Sequence, residues 1–180
     1  MTGVQTCALP ISLECSTKQL RIAQELNDRR GEGIAYNNLG HANASVGNFQ
    51  EALDNYNKHL SIATEFNDSI GEGVAYGNLG CTYGELGNYQ QSLNYHKKHL
   101  SFSEEMKDRA AVGRVYGNIG NSYQKLGQYE EAIESHDESL TIAKEVGDRD
   151  SEGRAHGNLG NAYHEIGKFQ LALEIGRAHV

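Results

Sequence analysis

The sequence predicts an all-α fold, an α-solenoid of antiparallel helix pairs with a 40-residue repeat. A four-residue phrase of the Gly-Asn-Leu-Gly type returns every 40 residues, at 37–40, 77–80, 117–120 and 157–160. Apolar residues recur at helical spacing within each unit, as at Ala35, Leu39 and Ala42. A glycine follows each stripe, where helices often end in a left-handed residue. Such a period is typical of units that bury their apolar faces only against their neighbours.

The two ends of the chain are expected to lie outside this repeat pattern. Residues 1–11 resemble a translated sequencing adapter, and residues 174–180 resemble the same adapter read in the opposite sense. Processing and cloning scars are excluded from fold reasoning. We therefore expect adapter artefacts at 1–11 and 174–180, and a repeat array over 12–173 that is a fragment of a longer protein.

Within the array, the elements follow one another in a fixed order. Residues 12–27 predict a second helix without its partner, and the full repeats are expected at 28–67, 68–107 and 108–147, with a partial repeat at 148–173. Each repeat opens on an aspartate that suits a helix N-cap, at Asp28, Asp68, Asp108 and Asp148. A glycine ends the first helix, and a second apolar stripe, such as Ala52, Leu53, Tyr56 and Leu60, predicts the second helix.

A further column of glycines lies inside each first helix, at Gly40, Gly80, Gly120 and Gly160. Glycine in a helix interior costs about 1 kcal/mol relative to alanine. Its recurrence at one repeat position therefore predicts a close approach between helices, which a side chain would prevent.

Composition narrows the classes of function. The formal net charge is −8, with 22% charged and 38% hydrophobic residues, which favours a soluble globular protein. An acidic balance argues against general nucleic-acid binding, and no apolar run approaches the roughly 18 residues of a membrane span. Cys15 and Cys81 share no metal-type spacing, which favours a reduced, cytoplasmic setting.

The repeat resembles the tetratricopeptide repeat. Residues at its signature positions include Leu39-Gly40, Ala52, Leu53, Leu60, Tyr83, Gly87 and Tyr89. The usual unit has 34 residues, so these units are longer, and we expect the helices to run on and turn at 67–68, 107–108 and 147–148. The phrasing at 20–28 and 31–33 resembles Pins-type G-protein-signalling modulators. Animal repeat proteins with a caspase-like domain after the array are similar too.

The resemblance implies a peptide-binding groove lined by the first helices. The face of each first helix opposite its apolar stripe, the groove face, carries side chains spaced three and four apart, which stack on one side of a helix. These candidate peptide-binding residues are Asn38, Asn78, Arg114, Asn118, Asn121, Lys125, Arg154, Asn158 and Asn161.

The chemistry of this face suits an extended peptide. A carboxamide offers two donors and an acceptor to main-chain groups, and Arg114 and Arg154 can make charge-assisted bonds to acidic residues of a partner. Ile34 and Val74 take the place of these arginines in the earlier units, so the face is expected to be apolar at one end and basic at the other. A structural interpretation stays open, in which the asparagines only satisfy neighbouring groups.

No catalytic constellation, metal site or cofactor is predicted. His59 and His99 share one repeat position and His96 and His136 share another, so the histidines are interpreted as packing choices. Cys81 has no cationic neighbour in sequence that would activate its thiol. The chain is not expected to be an enzyme.

The leading hypothesis is a Pins-like adaptor that binds protein segments, with spindle or polarity proteins as the partners that the resemblance implies. The second is the sensor or scaffold region of a larger protein, such as a repeat–caspase-like protease fusion. The third is an array that assembles with itself through its uncapped ends.

Overall fold

The structure, a computed structural model, describes residues 9–178, with side chains from 11 to 174. This range contains nine helices and no strand, which confirms the predicted fold class, an all-α α-solenoid. The helices are α1 (Leu9–Glu25), α2 (Arg29–Ser45), α3 (Phe49–Glu65), α4 (Ser69–Glu85), α5 (Tyr89–Glu105), α6 (Arg109–Lys125), α7 (Tyr129–Val146), α8 (Arg149–Glu165) and α9 (Phe169–Ala178).

The helices form two compact units. Unit 1, residues 1–86, holds α1–α4, and unit 2, residues 87–180, holds α5–α9. Within each unit, every helix packs against the next one along the chain, and in unit 2 the first helices α6 and α8 also contact each other directly.

The helix ends lie where the repeat pattern predicts them. Asp28, Asp68, Asp108 and Asp148 cap their helices, each side chain accepting a hydrogen bond from the backbone N–H three residues on. Gly47, Gly87, Gly127 and Gly167 have positive φ and end the first helices. The second helices end before Asn67 (φ 51°), Lys107 (φ 57°) and Gly147 (φ 73°), so the predicted turns at the repeat boundaries are confirmed.

In the first helices α2 and α6, two glycines let a second helix approach closely. In unit 2, an added Cβ on Gly113 would lie 2.7 Å from Ile142, and one on Gly120 would lie 2.5 Å from the ring of His136. In unit 1, Gly33 meets Ile62 and Gly40 meets the ring of Tyr56 in the same way. The interpretation of the glycine column as a site of close packing is therefore correct at Gly40 and Gly120.

Gly160 differs from the rest of its column. An added Cβ there would come only within 4.0 Å of the Ala172 carbonyl oxygen, which is an ordinary contact. The expectation of close approach is wrong at this position. The position 40 residues after His136 is Gly176, so the sequence carries no aromatic residue at the repeat position of Tyr56 and His136 in this last unit.

The expected limits of the array differ from the helix ends. The first helix begins at Leu9, three residues before Ser12, and the last continues past Leu173 to Ala178. Residues 1–8 and 179–180, which belong to the two adapter-like stretches, lie outside the described residues. In residues 9–178, no helix is both long and apolar enough to cross a bilayer.

Candidate functional site

Five of the predicted groove-face residues surround one cavity in unit 2. The cavity has a volume of about 200 Å³ and lies between the first helices α6 and α8, with α7 beneath them. Its lining consists of the predicted Arg114, Asn118, Asn121, Arg154 and Asn158, together with Gly117, Ser139, Ser151 and Ala155. The 40-residue spacing thus brings equivalent side chains of neighbouring repeats to one place.

The polar groups around this cavity are only partly used within the protein. Asn158 Nδ2 donates to Asn121 Oδ1 at 3.1 Å, which joins α8 to α6. Arg114, by contrast, makes no hydrogen bond or ion pair to a described residue, and neither does the carboxamide of Asn118. These groups remain available to a ligand.

A hydrogen-bonded chain holds the second arginine. Arg154 Nη2 donates to Ser151 Oγ at 2.8 Å, and Ser151 Oγ donates to Asp148 Oδ2 at 2.7 Å. The hydrogen bonds from the Ser151 backbone and side chain, with the nearby charges of Arg154 and Arg114, lower the pKa of Asp148. One carboxylate therefore faces two guanidinium groups, which leaves the site with an excess of positive charge.

The other groove-face residues of unit 2 lie outside this cavity. Asn161 is exposed and lines a separate, more apolar cavity of about 510 Å³ between α8 and α9, beside Phe169 and Leu173. Lys125 is exposed in the last turn of α6, where a cation is favoured by the helix dipole.

In unit 1, the groove-face asparagines bond to neighbouring helices. Asn38 Nδ2 donates to Gln19 Oε1 at 3.0 Å, and Asn78 Nδ2 donates to Asn37 Oδ1 at 3.0 Å. Asn78 also approaches His41 Nε2 at 3.4 Å. The structural interpretation therefore accounts for both N–H groups of Asn78, and for one of the two N–H groups of Asn38.

A cavity of about 320 Å³ lies beside Asn78 and is lined by His41, Tyr56 and Cys81, among others. Tyr56 Oη lies 3.2 Å from His41 Nδ1, and burial raises the pKa of Tyr56 to about 12. Desolvation, with the nearby charge of Glu85, raises the pKa of the Cys81 thiol. The thiolate is therefore disfavoured, which is the opposite of what a nucleophilic cysteine requires.

Sequence reasoning missed Ser139 and Gly117 at the floor of the unit 2 cavity. Ser139 lies on a second helix, which the groove-face pattern did not include. A signal was nevertheless present, because the same repeat position carries His59, His99 and then Ser139. A change from a large ring to a small hydroxyl at one repeat marks a place where space opens.

The buried histidines show no geometry of a metal site. Burial lowers the pKa of His96 and of His136 to about 4, so both rings are neutral at pH 7. Among the described residues, no three His, Cys, Asp or Glu side chains come together as metal ligands. These rings are packed core residues, as the matching repeat positions predict.

The model of the tetratricopeptide repeat matches the sequence at residues 9–65, 31–105 and 111–179, which is most of the chain. The chain belongs to the tetratricopeptide repeat family. This tetratricopeptide repeat chain has no significant match among curated protein sequences. The family assignment confirms the predicted repeat class, and such repeats form a non-catalytic fold that generally binds protein partners.

Solved structures agree with the fold of these tetratricopeptide repeats. The TPR-like repeats of a Podospora anserina kinesin light chain align with a TM-score of 0.80 at 17% identity, covering 96% of this chain and 86% of that one. Aspartyl phosphate phosphatase F of Bacillus subtilis aligns with a TM-score of 0.84 at 18% identity, covering 93% of this chain and 44% of that one. A Pyrococcus horikoshii STAND protein with a tetratricopeptide repeat sensor aligns with a TM-score of 0.82 at 23% identity, covering 93% of this chain and 26% of that one. Identities this low establish the shared fold alone.

Proposed function

We propose that this chain is a protein-interaction scaffold that binds extended segments of partner proteins on the groove face of its first helices. The role is binding rather than catalysis. The observation that carries the proposal is the unit 2 cavity, where five groove-face side chains from two repeats meet. Structural side chains would be expected to satisfy one another, yet the guanidinium of Arg114 and the carboxamide of Asn118 have no hydrogen-bond partner among the described residues.

The charge of the cavity favours an acidic segment. Arg114 and Arg154 carry two positive charges against the single carboxylate of Asp148. Guanidinium groups bind carboxylates through charge-assisted, often paired hydrogen bonds. Main-chain groups of an extended segment could be held by the carboxamides of Asn118 and Asn158, which offer both donors and acceptors.

Selection from a random peptide display library, with the full chain as bait, tests this proposal. We expect selected peptides to be enriched in Asp and Glu and to lose affinity when Arg114→Glu is combined with Arg154→Glu. The loss should be largest at low salt, where charges are least screened. Lys144→Glu with Lys168→Glu is the matched control, since it makes the same charge change at residues that do not line the cavity. Equal losses in the two double variants would contradict a specific groove.

At a finer level, we propose a Pins-like adaptor role in G-protein signalling, polarity or spindle orientation, supported by the sequence phrasing at 20–28 and 31–33. Binding of segments from polarity or spindle proteins to the wild type, and loss of that binding in the double arginine variant, would support this assignment. Selected peptides with no likeness to such segments would count against it.

Self-association is a second candidate function, favoured by apolar side chains exposed on the first and last helices. Ile11, Ile22 and Leu26 of the α1 region are 51–72% exposed, as are Phe169 (57%) and Leu173 (55%) of α9. Light scattering after size exclusion tests it: a monomer at all concentrations would exclude this candidate, and a concentration-dependent increase in mass would support it.

A further inference from the structure

The floor of the unit 2 cavity carries a serine hydroxyl that makes no hydrogen bond within the described part of the protein. Ser139 is 4% exposed and lines the cavity. Its Oγ makes no hydrogen bond to any described residue, whereas Ser103 and Ser135, on second helices of the same unit, bond to the carbonyl four residues earlier. The Oγ of Ser139 is not among the side-chain atoms that are fully buried without a partner, so it opens into the cavity, where a bound group can accept its hydrogen bond.

Two small residues create the space above this hydroxyl. Ser139 takes the repeat position of His59 and His99, so a hydroxymethyl group stands where the other repeats have an imidazole. Gly117 faces it, and a Cβ on Gly117 would lie 3.3 Å from Ser139 Oγ. The change from imidazole to hydroxyl at this repeat position therefore opens space beside Gly117.

The groups that line the cavity are almost all hydrogen-bond donors or can act as donors. Arg114 and Arg154 present guanidinium groups, Asn118 presents a free carboxamide, and Ser139 presents a hydroxyl from below. Arg154 is held in place by Ser151. This combination of cations and neutral donors around a small space matches an oxyanion.

We propose that this cavity is an oxyanion subsite, formed by Ser139 and Gly117 beneath Arg114 and Arg154, which takes one carboxylate or phosphoryl group from a bound protein segment. The proposal rests on the proposed binding function and names the chemistry that the groove recognises. The Ser139 hydroxyl donates a hydrogen bond to the anion, and the small size of Ser139 and Gly117 sets the depth of the subsite.

The test titrates the isotope-labelled chain with inorganic phosphate and, separately, with acetate, at constant ionic strength set by chloride. We expect saturable NMR shifts of the Asn118 side-chain amide and the Arg114 Nε–H. A response to phosphate alone identifies a phosphoryl subsite, and a response to acetate alone identifies a carboxylate subsite; either supports the proposal. Shifts that do not saturate with either anion would overturn it.

Two variants test the residues that form the subsite. Ser139→His restores the imidazole of the other repeats and should weaken anion binding at least about tenfold, or 1.4 kcal/mol. Gly117→Ala narrows the cavity by a single methyl group, so it provides the test if Ser139→His does not fold. We expect this variant to lose about threefold in anion affinity. Gly157→Ala is its matched control, since it lies at the same repeat position but has open space around it. Equal affinities in Gly117→Ala and Gly157→Ala would overturn the assignment.

The outcomes separate this subsite from the proposed function. If the NMR shifts saturate with neither anion, but selected peptides still bind and their affinity depends on Arg114 and Arg154, the subsite is wrong and the scaffold proposal stands. If the anions bind but no peptide is selected, the subsite stands and the scaffold proposal fails.

Discussion

At the scale of single residues, His136 is the most unusual side chain of the core. It is fully buried, and neither ring nitrogen has a hydrogen-bond partner in the described part of the chain. Its ring packs on Gly120 in the way that the ring of Tyr56 packs on Gly40, 80 residues earlier in the sequence. A flat ring therefore fills this repeat position in both units, and the ring nitrogens of His136 add nothing to its packing.

We expect His136→Phe to stabilise the fold. A phenyl ring keeps the flat contact with Gly120, and Tyr56 shows that a six-membered ring fits at this repeat position. Removing a buried polar group that lacks a partner should raise the free energy of unfolding by about 1–3 kcal/mol. Urea denaturation at pH 7 measures this change. A loss of stability would mean that the imidazole makes an interaction that a phenyl ring cannot replace.

The pH dependence of stability follows from the same side chains. Burial lowers the pKa of His136 and His96 from 6.5 to about 4, so the unfolded chain binds more protons than the folded chain between these values. Stability is therefore fully present above pH 6.5 and is lost as the pH falls toward 4. Each histidine should contribute a slope of about 1.4 kcal/mol per pH unit within this window. Denaturation curves of His136→Phe should lack one such contribution, and an unchanged slope would contradict the assignment.

At the scale of helices, packing between first and second helices depends on glycine at particular places. Gly120 and Gly160 occupy the same repeat position, but only Gly120 is covered by a ring. Sequence alone gives the column and its helical setting. It does not show that a ring covers Gly120 and not Gly160, because this depends on which side chain of the facing helix lies over each glycine.

We expect opposite effects from two alanine substitutions in this column. Gly120→Ala puts a Cβ 2.5 Å from the buried ring of His136, and such overpacking typically costs 1–3 kcal/mol. Gly160→Ala meets only an ordinary contact, so the better helix propensity of alanine should stabilise it by up to about 1 kcal/mol. Thermal melts of the two variants provide the comparison. The same sign of change in both would show that the ring contact does not control this position.

The helix positions were predictable because their signals are local. An aspartate that accepts from the backbone N–H three residues on, and a glycine at the left-handed position, fix the ends of a helix whatever surrounds it. The groove face was predictable as a face for the same reason. The hydrogen bonds that Asn78 and Asn158 make between helices were not predictable, because a 40-residue spacing gives neither the distance nor the angle between neighbouring first helices. The role of Ser139 depends on how α7 lies beneath α6 and α8, which is also a matter of packing.

At the scale of the whole molecule, the residues nearest the two ends contribute little to the core. Ile11 is 58% exposed, and Phe169, Leu171 and Leu173 are 42–57% exposed. Among residues 11–174, whose side chains the structure describes, the buried ones lie between Ala23 and Ala162. Stability is therefore expected to reside in the repeats between these limits.

Removing residues 1–11 and 174–180 should leave the melting temperature nearly unchanged. The described side chains at these limits, Ile11 and Glu174, are exposed, so their loss removes little buried apolar surface. Circular dichroism melts of the full and trimmed chains test this expectation. A drop of many degrees would show that at least one of these stretches forms part of the folded array.

The most direct test of the scaffold proposal separates affinity from stability at the asparagines of the unit 2 cavity. Asn118→Ala combined with Asn158→Ala should weaken binding of a selected peptide at least about tenfold. It should cost only about 1 kcal/mol of stability, since the side-chain hydrogen bond that it removes among the described residues is that from Asn158 to Asn121. Asn57→Ala with Asn94→Ala, on exposed faces of second helices, is the matched control and should leave affinity unchanged. Calorimetric titration gives the affinities, and thermal melts give the stabilities. If the groove-face pair instead unfolds the protein and spares the affinity of the molecules that remain folded, the asparagines are structural and the proposed binding site is wrong.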